Sequence, residues 1–246
     1  VEIICVNNYD EMSERAAAMI ADQIKHVPHS TLGLATGSTP EGLYRSLIQK
    51  NRQDKVSFKD VTTFNLDEYI GLSETDTNSY HFFMHSHFFD YIDIQHYNIH
   101  IPNGLANDLE QECENYEAKI RNIDIQVLGL GLNGHIGFNE PGTSFLSRTH
   151  LVHLTESTRK ANSRYFKTIE DVPERAITMG INTIMKSKKI ILLVSGERKA
   201  EAVERLMNGE ISEDFPASVL QRHPNVVLIG DKAALKKLRL QNEFIC

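Results

Sequence analysis

Residues 31–49, TLGLATGSTPEGLYRSLIQ, read in three parts. Residues 31–35 are a short apolar run fit for a buried strand. Residues 36–40 are a hydroxyl-rich turn with one glycine. Residues 41–49 then set Leu43, Leu47 and Ile48 on one helical face. Pro40 falls where a helix begins, a position at which the missing N–H costs nothing. This unit of strand, turn and helix recurs along the chain. Residues 61–66 are β-branched and run into Asp67-Glu68, residues 123–130 are nearly continuous in apolar side chains, and residues 189–195 and 225–230 repeat the pattern. Ala200, Val203 and Met207 recur at helical spacing, and Asn208-Gly209 supplies a stop. Residues 2–6 and 11–26 give one more strand and helix, the helix carrying Ala16, Met19, Ile20 and Ile24. Such an alternation predicts an α/β fold: a doubly wound, mostly parallel, Rossmann-like sheet with helices on both faces. Residues 1–246 read as a single domain, with a less regular lid insertion at 149–180.

Composition narrows the function. The 246 residues carry 26 Lys+Arg against 33 Asp+Glu, a formal charge of −7, which argues against a nucleic-acid or anionic-membrane binder. The hydrophobic fraction of 41 % supports a core of ordinary size and excludes a disordered chain. The longest aliphatic run, residues 190–194, is far too short to span a bilayer. No basic region precedes an apolar stretch at the N-terminus, so a cytoplasmic protein is expected. Cys5, Cys113 and Cys246 are odd in number and form no CxxC pair. They are expected as reduced thiols, not as a disulfide framework or a zinc site.

In an open parallel sheet, ligands bind beyond the carboxyl ends of the strands. Four unusual segments sit at such ends. Thr36, Gly37, Ser38 and Thr39 precede a helix, and N–H groups at a helix start form an anion site; an ordinary capped turn is the alternative. Asp67-Glu68 offers a buried general base or a helix cap, and each acid can do one of the two jobs. Residues 128–141, LGLGLNGHIGFNEP, hold Gly129, Gly131, Gly134 and Gly137, with Asn133, His135, Asn139 and Glu140 threaded among them. Imidazole moves protons near neutral pH, and either Glu140 or Asn133 could orient it. Lys199 stands in the first turn after a strand, where a cation opposes the helix dipole and calls for an anion. Arg164 has no comparable local argument and reads as surface charge. His81 and His85 share a helical face, but no HExxH pattern accompanies them, so no metal is required.

Six stretches in order, LGLATGSTPEGLY, FNLDEYIGL, SYHFFMHSHFFD, GLGLNGHIGFNEPGTSF, TRKANSRYF and SGERKAEAV, resemble the glucosamine-6-phosphate deaminase family. The related 6-phosphogluconolactonases share the fold and a similar Gly-His loop, but FNEPG after it is the deaminase form. The resemblance implies conversion of glucosamine 6-phosphate and water to fructose 6-phosphate and ammonia in amino-sugar catabolism, with no cofactor. It assigns Asp67 to the C2-to-C1 proton transfer, His135 to ring opening, and Glu140 to support of that histidine. Asn133 stands where many members carry Asp, so the supporting group is a neutral amide. Thr36 to Thr39, Arg164 and Lys199 match the positions that hold the sugar phosphate. Larger members are hexamers activated by N-acetylglucosamine 6-phosphate between subunits. Here His150 and Val152 replace basic residues of that effector site, and the chain runs only a little beyond Leu238. A monomer or small homo-oligomer with weak or absent activation is therefore expected, acting on a small sugar phosphate and on neither nucleic acid nor membrane. A lactonase on the same fold and a non-catalytic sugar-phosphate sensor are the competing readings.

Overall fold

The computed structural model describes residues 1–240 and 243–244. Seven strands form the central sheet: β1 (Glu2–Val6), β2 (Thr31–Leu34), β3 (Thr62–Asn65), β5 (Ile99–His100), β6 (Ile125–Gly129), β9 (Lys189–Val194) and β10 (Val226–Asp231). Their order is β1-β10-β9-β6-β2-β3-β5, and every pairing in it is parallel. Of these, only the two-residue β5 at the edge was not legible as an apolar run.

Two cores flank this sheet, as a doubly covered sheet requires. Successive residues of one strand alternate between them: Ile191 and Leu193 of β9 join one cluster, while Ile190, Leu192 and Val194 join the other. The first cluster packs under α1 (Tyr9–His26), α2 (Glu41–Arg52) and α3 (Tyr80–His87). The second lies under α4 (Leu109–Lys119), α6 (Ile181–Ile184), α7 (Ala200–Asn208) and α8 (Lys232–Leu235). Asn8 caps α1 by accepting from the Glu11 N–H, and the acids Asp10 and Glu11 sit in its first turn.

The insertion expected at 149–180 is more regular than its sequence suggests. It opens with β7 (His150–His153) and closes with β8 (Arg175–Thr178), which pair antiparallel. β8 also pairs with β4 (Asp67–Tyr69), giving a second sheet of order β4-β8-β7. Between β7 and β8 lie α5 (Glu156–Asn162) and the 3₁₀ turn Ser163–Tyr165. The insertion is thus rooted in the strand that carries Asp67. A small hairpin, β11 (Arg239–Leu240) with β12 (Glu243–Phe244), follows the main fold.

Cys113 is a free, buried thiol, as expected. Cys5 is not: it is disulfide-bonded, because spacing along the chain does not tell which thiols meet in space. Cys246 lies outside the described residues. None of the described helices is long and apolar enough to cross a membrane.

Candidate active site

The chain leaves β2 for β3 on one side and leaves β6 for β9 on the other, so the loops after β2 and β6 part at a crevice. Open α/β sheets bind ligands at such a switch point. A cavity of about 1040 Å³ occupies it. Thr36, Gly37, Ser38 and Thr39 line it after β2, Asp67 from β4, Asn133 and His135 after β6, Arg164 from the 3₁₀ turn, and Lys199 ahead of α7. Glu140 stands back from the lining, behind His135, and Glu68, Asn139, His81 and His85 do not line it either.

One end of the cavity is cationic. Gly37 has φ of +91° with open space where a Cβ would be, so the turn itself calls for glycine. Pro40 occupies the N-cap of α2, one residue before the first helical position, and no side chain caps the helix there. The Tyr9 hydroxyl donates to the Ser38 carbonyl and accepts from the Gly42 N–H, each at 2.8 Å, which clasps the turn to α1. Arg164 Nη2 donates to Ser38 Oγ at 3.2 Å. Lys199 Nζ donates to the Leu130 carbonyl at 2.5 Å. Burial, then the charges of Arg198 and Arg164, hold the Lys199 ammonium below its ordinary pKa. Among the described residues no carboxylate pairs with Lys199.

The other end gathers titratable groups, Asp67 and His135. The two acids of the DEY strand divide the work the sequence left open between them. Glu68 accepts from the N–H groups of Tyr69 (2.8 Å), Tyr80 (2.9 Å) and His81 (2.8 Å), and so caps α3. Burial nonetheless pushes its carboxyl up to about 7. Asp67 is 6 % exposed, and its carboxylate accepts no hydrogen bond from the described residues. Burial, helped by the Glu68 charge, pushes it up to about 8. A carboxylate with few local partners in a cavity is available to a ligand.

The glycine loop makes room for the imidazole. A Cβ at Gly131 would lie 2.5 Å from the His135 ring, and one at Gly134, whose φ is +85°, would strike the Phe215 ring at 2.3 Å. His135 Nδ1 is buried without a hydrogen-bond partner and lies 3.7 Å from Glu140 Oε2. Burial lowers the imidazole pKa, the Glu140 charge opposes this, and Lys199 adds to it. The ring is therefore neutral at neutral pH, the state that both accepts and donates a proton. Glu140, not Asn133, is the group that faces the ring. Asn133 instead braces the loop: Nδ2 donates to Glu140 Oε2 at 2.8 Å, and Oδ1 accepts the His135 backbone N–H at 3.2 Å. Asn139 is structural, its Nδ2 donating to the Ile136 and Met179 carbonyls. His81 and His85 stack on each other at 4.6 Å, and His85 pairs with Asp90.

Arg164, unremarkable in its local sequence, reaches the cavity only because the insertion folds back over the β2 turn. Tyr9, Tyr69 and Phe215 were not singled out at all. Tyr69 Oη accepts from Asn162 Nδ2 at 3.0 Å and from the Tyr80 hydroxyl at 3.3 Å, which joins α5 to the Asp67 strand. Such partners are scattered along the chain and leave no local pattern to read.

A family model described as glucosamine-6-phosphate isomerases/6-phosphogluconolactonase matches residues 7–228. A glucosamine-6-phosphate deaminase of Oceanobacillus iheyensis is 56 % identical over 97 % of this chain and 96 % of its own length. Glucosamine-6-phosphate deaminase 1 of Bacillus subtilis is 54 % identical over 95 % of this chain and 98 % of its own. Among solved structures, one described as a monomeric glucosamine-6-phosphate deaminase superposes with a TM-score of 0.95 at 54 % identity, covering 96 % of this chain and all of the other. The 6-phosphogluconolactonase of Trypanosoma brucei superposes at 0.78 with 18 % identity, covering 97 % of this chain and 98 % of the other, a likeness of fold alone.

Proposed function

The chain belongs to the glucosamine-6-phosphate isomerase/6-phosphogluconolactonase family, and we propose that it is a glucosamine-6-phosphate deaminase, converting glucosamine 6-phosphate and water to fructose 6-phosphate and ammonia in amino-sugar catabolism. The observation that carries this reading is the meeting, in one cavity, of a cationic end at Lys199 and Arg164 with Asp67 and His135.

The dianionic phosphate sits against the Thr36–Thr39 turn, Arg164 and Lys199, which supplies the anion that Lys199 lacks and fixes the sugar in place. Neutral His135 takes the proton of the anomeric hydroxyl and passes one to the ring oxygen, opening the pyranose to the C1 aldehyde. Glu140 stabilises the transient imidazolium. The aldehyde acidifies the C2 proton, which Asp67 removes to give an enolamine. Asp67 returns the proton at C1, leaving an iminium at C2 that water hydrolyses to the ketone and ammonia. The C2 ammonium beside Asp67 favours the ionised carboxylate, so binding makes the base competent. The reacting atoms need no metal or cofactor for this sequence.

The segment between β7 and β8, which carries Arg164, acts as a lid over this cavity. A monomer or small homo-oligomer in the cytoplasm, with weak or absent activation by N-acetylglucosamine 6-phosphate, suits His150 and Val152 at the effector positions. The test is a coupled assay of the purified protein on two substrates. Ammonia and fructose 6-phosphate from glucosamine 6-phosphate are expected; hydrolysis of 6-phosphogluconolactone without ammonia would favour the lactonase, and turnover of neither would favour a sensor.

A further inference from the structure

Glu140 is held by the lid. Its Oε1 accepts the Thr158 hydroxyl in a short hydrogen bond and the Thr155 hydroxyl at 3.2 Å, while Oε2 is left to Asn133 and faces His135. Thr155 is the N-cap of α5, accepting the Thr158 N–H, and Thr158 lies in the first turn, 5 % exposed. Thr158 also lines the cavity. The far end of α5 reaches Tyr69 through Asn162, and the next turn carries Arg164 to Ser38. One short segment therefore spans both ends of the cavity.

We propose that Thr158 is a positioning residue: its hydroxyl sets the Glu140 carboxylate against His135, so that the lid seated on the substrate phosphate also completes the proton-moving pair. A buried carboxylate keeps its orientation only while its oxygens are satisfied, and a hydroxyl has one proton to give. Thr158 spends its proton on Oε1. Thr155 can supply only one, to Oε1 or to the Thr158 oxygen at 3.1 Å. Removing the Thr158 hydroxyl leaves Oε1 with only the longer bond from Thr155, at 3.2 Å, so the carboxylate is held less firmly against the ring. The effect falls on ring opening, not on phosphate affinity.

This inference rests on the deaminase reading and on the lid proposed above. Thr158→Val keeps the shape and the branched β-carbon but loses the donor, and Thr158→Ser keeps the donor. Both are assayed for ammonia release from glucosamine 6-phosphate beside the wild type, with thermal melts to confirm folding. Loss of one hydrogen bond to a charged group predicts a fall in kcat of roughly ten- to a hundredfold for the valine variant, with KM within about twofold and near-complete recovery in the serine variant. An unchanged kcat in T158V, a change confined to KM, or a serine variant as impaired as the valine overturns the proposal. A wild type that releases no ammonia overturns the deaminase reading itself.

Discussion

Asp67 is expected to make the protein less stable in exchange for reactivity, and Asp67→Asn exposes that exchange. Its carboxyl is raised from 3.8 to about 8, first by burial and then by the Glu68 charge. In the unfolded chain it ionises near the ordinary value, so between those two pH values the native state holds a proton that the unfolded state has lost. Stability is then fully present below pH 4 and drains away as pH rises towards 8. Four pH units at about 1.4 kcal/mol each set an upper bound of about 5–6 kcal/mol. The carboxylate lines a cavity that water enters, which lowers the cost, so the expected difference is about 2–4 kcal/mol at pH 8. Asparagine keeps the shape and cannot ionise. Urea unfolding of both proteins at pH 5, 6, 7 and 8 measures this directly: the variant should gain on the wild type as pH rises, while ammonia release is abolished. A stability difference that stays flat across that range would refute the placement of Asp67 as a desolvated base.

Four further outcomes follow from the site. The raised Asp67 carboxyl predicts that kcat/KM climbs about tenfold per pH unit below pH 8 and levels above it, since kcat/KM reports the free enzyme's base; a profile already flat from pH 6 would exclude this. Lys199→Met should raise KM for glucosamine 6-phosphate by roughly ten- to a hundredfold, the worth of a charge-assisted phosphate bond. It should not destabilise the ligand-free protein, because the ammonium is there held against burial and the charges of Arg198 and Arg164; a Kd for the sugar phosphate equal to that of the wild type would remove Lys199 from the clamp. Proteolysis within residues 155–174 should slow when a sugar phosphate is present, and equal cleavage rates would remove the lid. N-acetylglucosamine 6-phosphate should alter the initial-rate curve weakly or not at all, whereas strong activation would restore an effector site at His150 and Val152.

The central sheet was legible because strands buried on both faces must be apolar at every position, as Ile190 to Val194 are. The glycine loop was legible because His135 needs a neighbour without a Cβ at Gly131. The second sheet was not. β4 has three residues, two of them acids, and its partner β8 lies more than a hundred positions away. The division of labour between Asp67 and Glu68 was also hidden, since Glu68 caps a helix that begins at Tyr80, after an intervening loop. Arg164 read as surface charge because only folding brings it to Ser38, 126 positions earlier. Local pattern reveals what neighbours in sequence do to one another, and this cavity is assembled from residues that are not neighbours.

Turnover of glucosamine 6-phosphate deuterated at C2 tests most directly whether one carboxylate carries the proton between C2 and C1. Wild-type protein should release equal amounts of ammonia and fructose 6-phosphate, with a primary isotope effect and some of the deuterium retained at C1, and D67N should release neither. Fructose 6-phosphate formed by D67N at the wild-type rate would contradict the assignment of Asp67, and with it the chemistry proposed for the cavity.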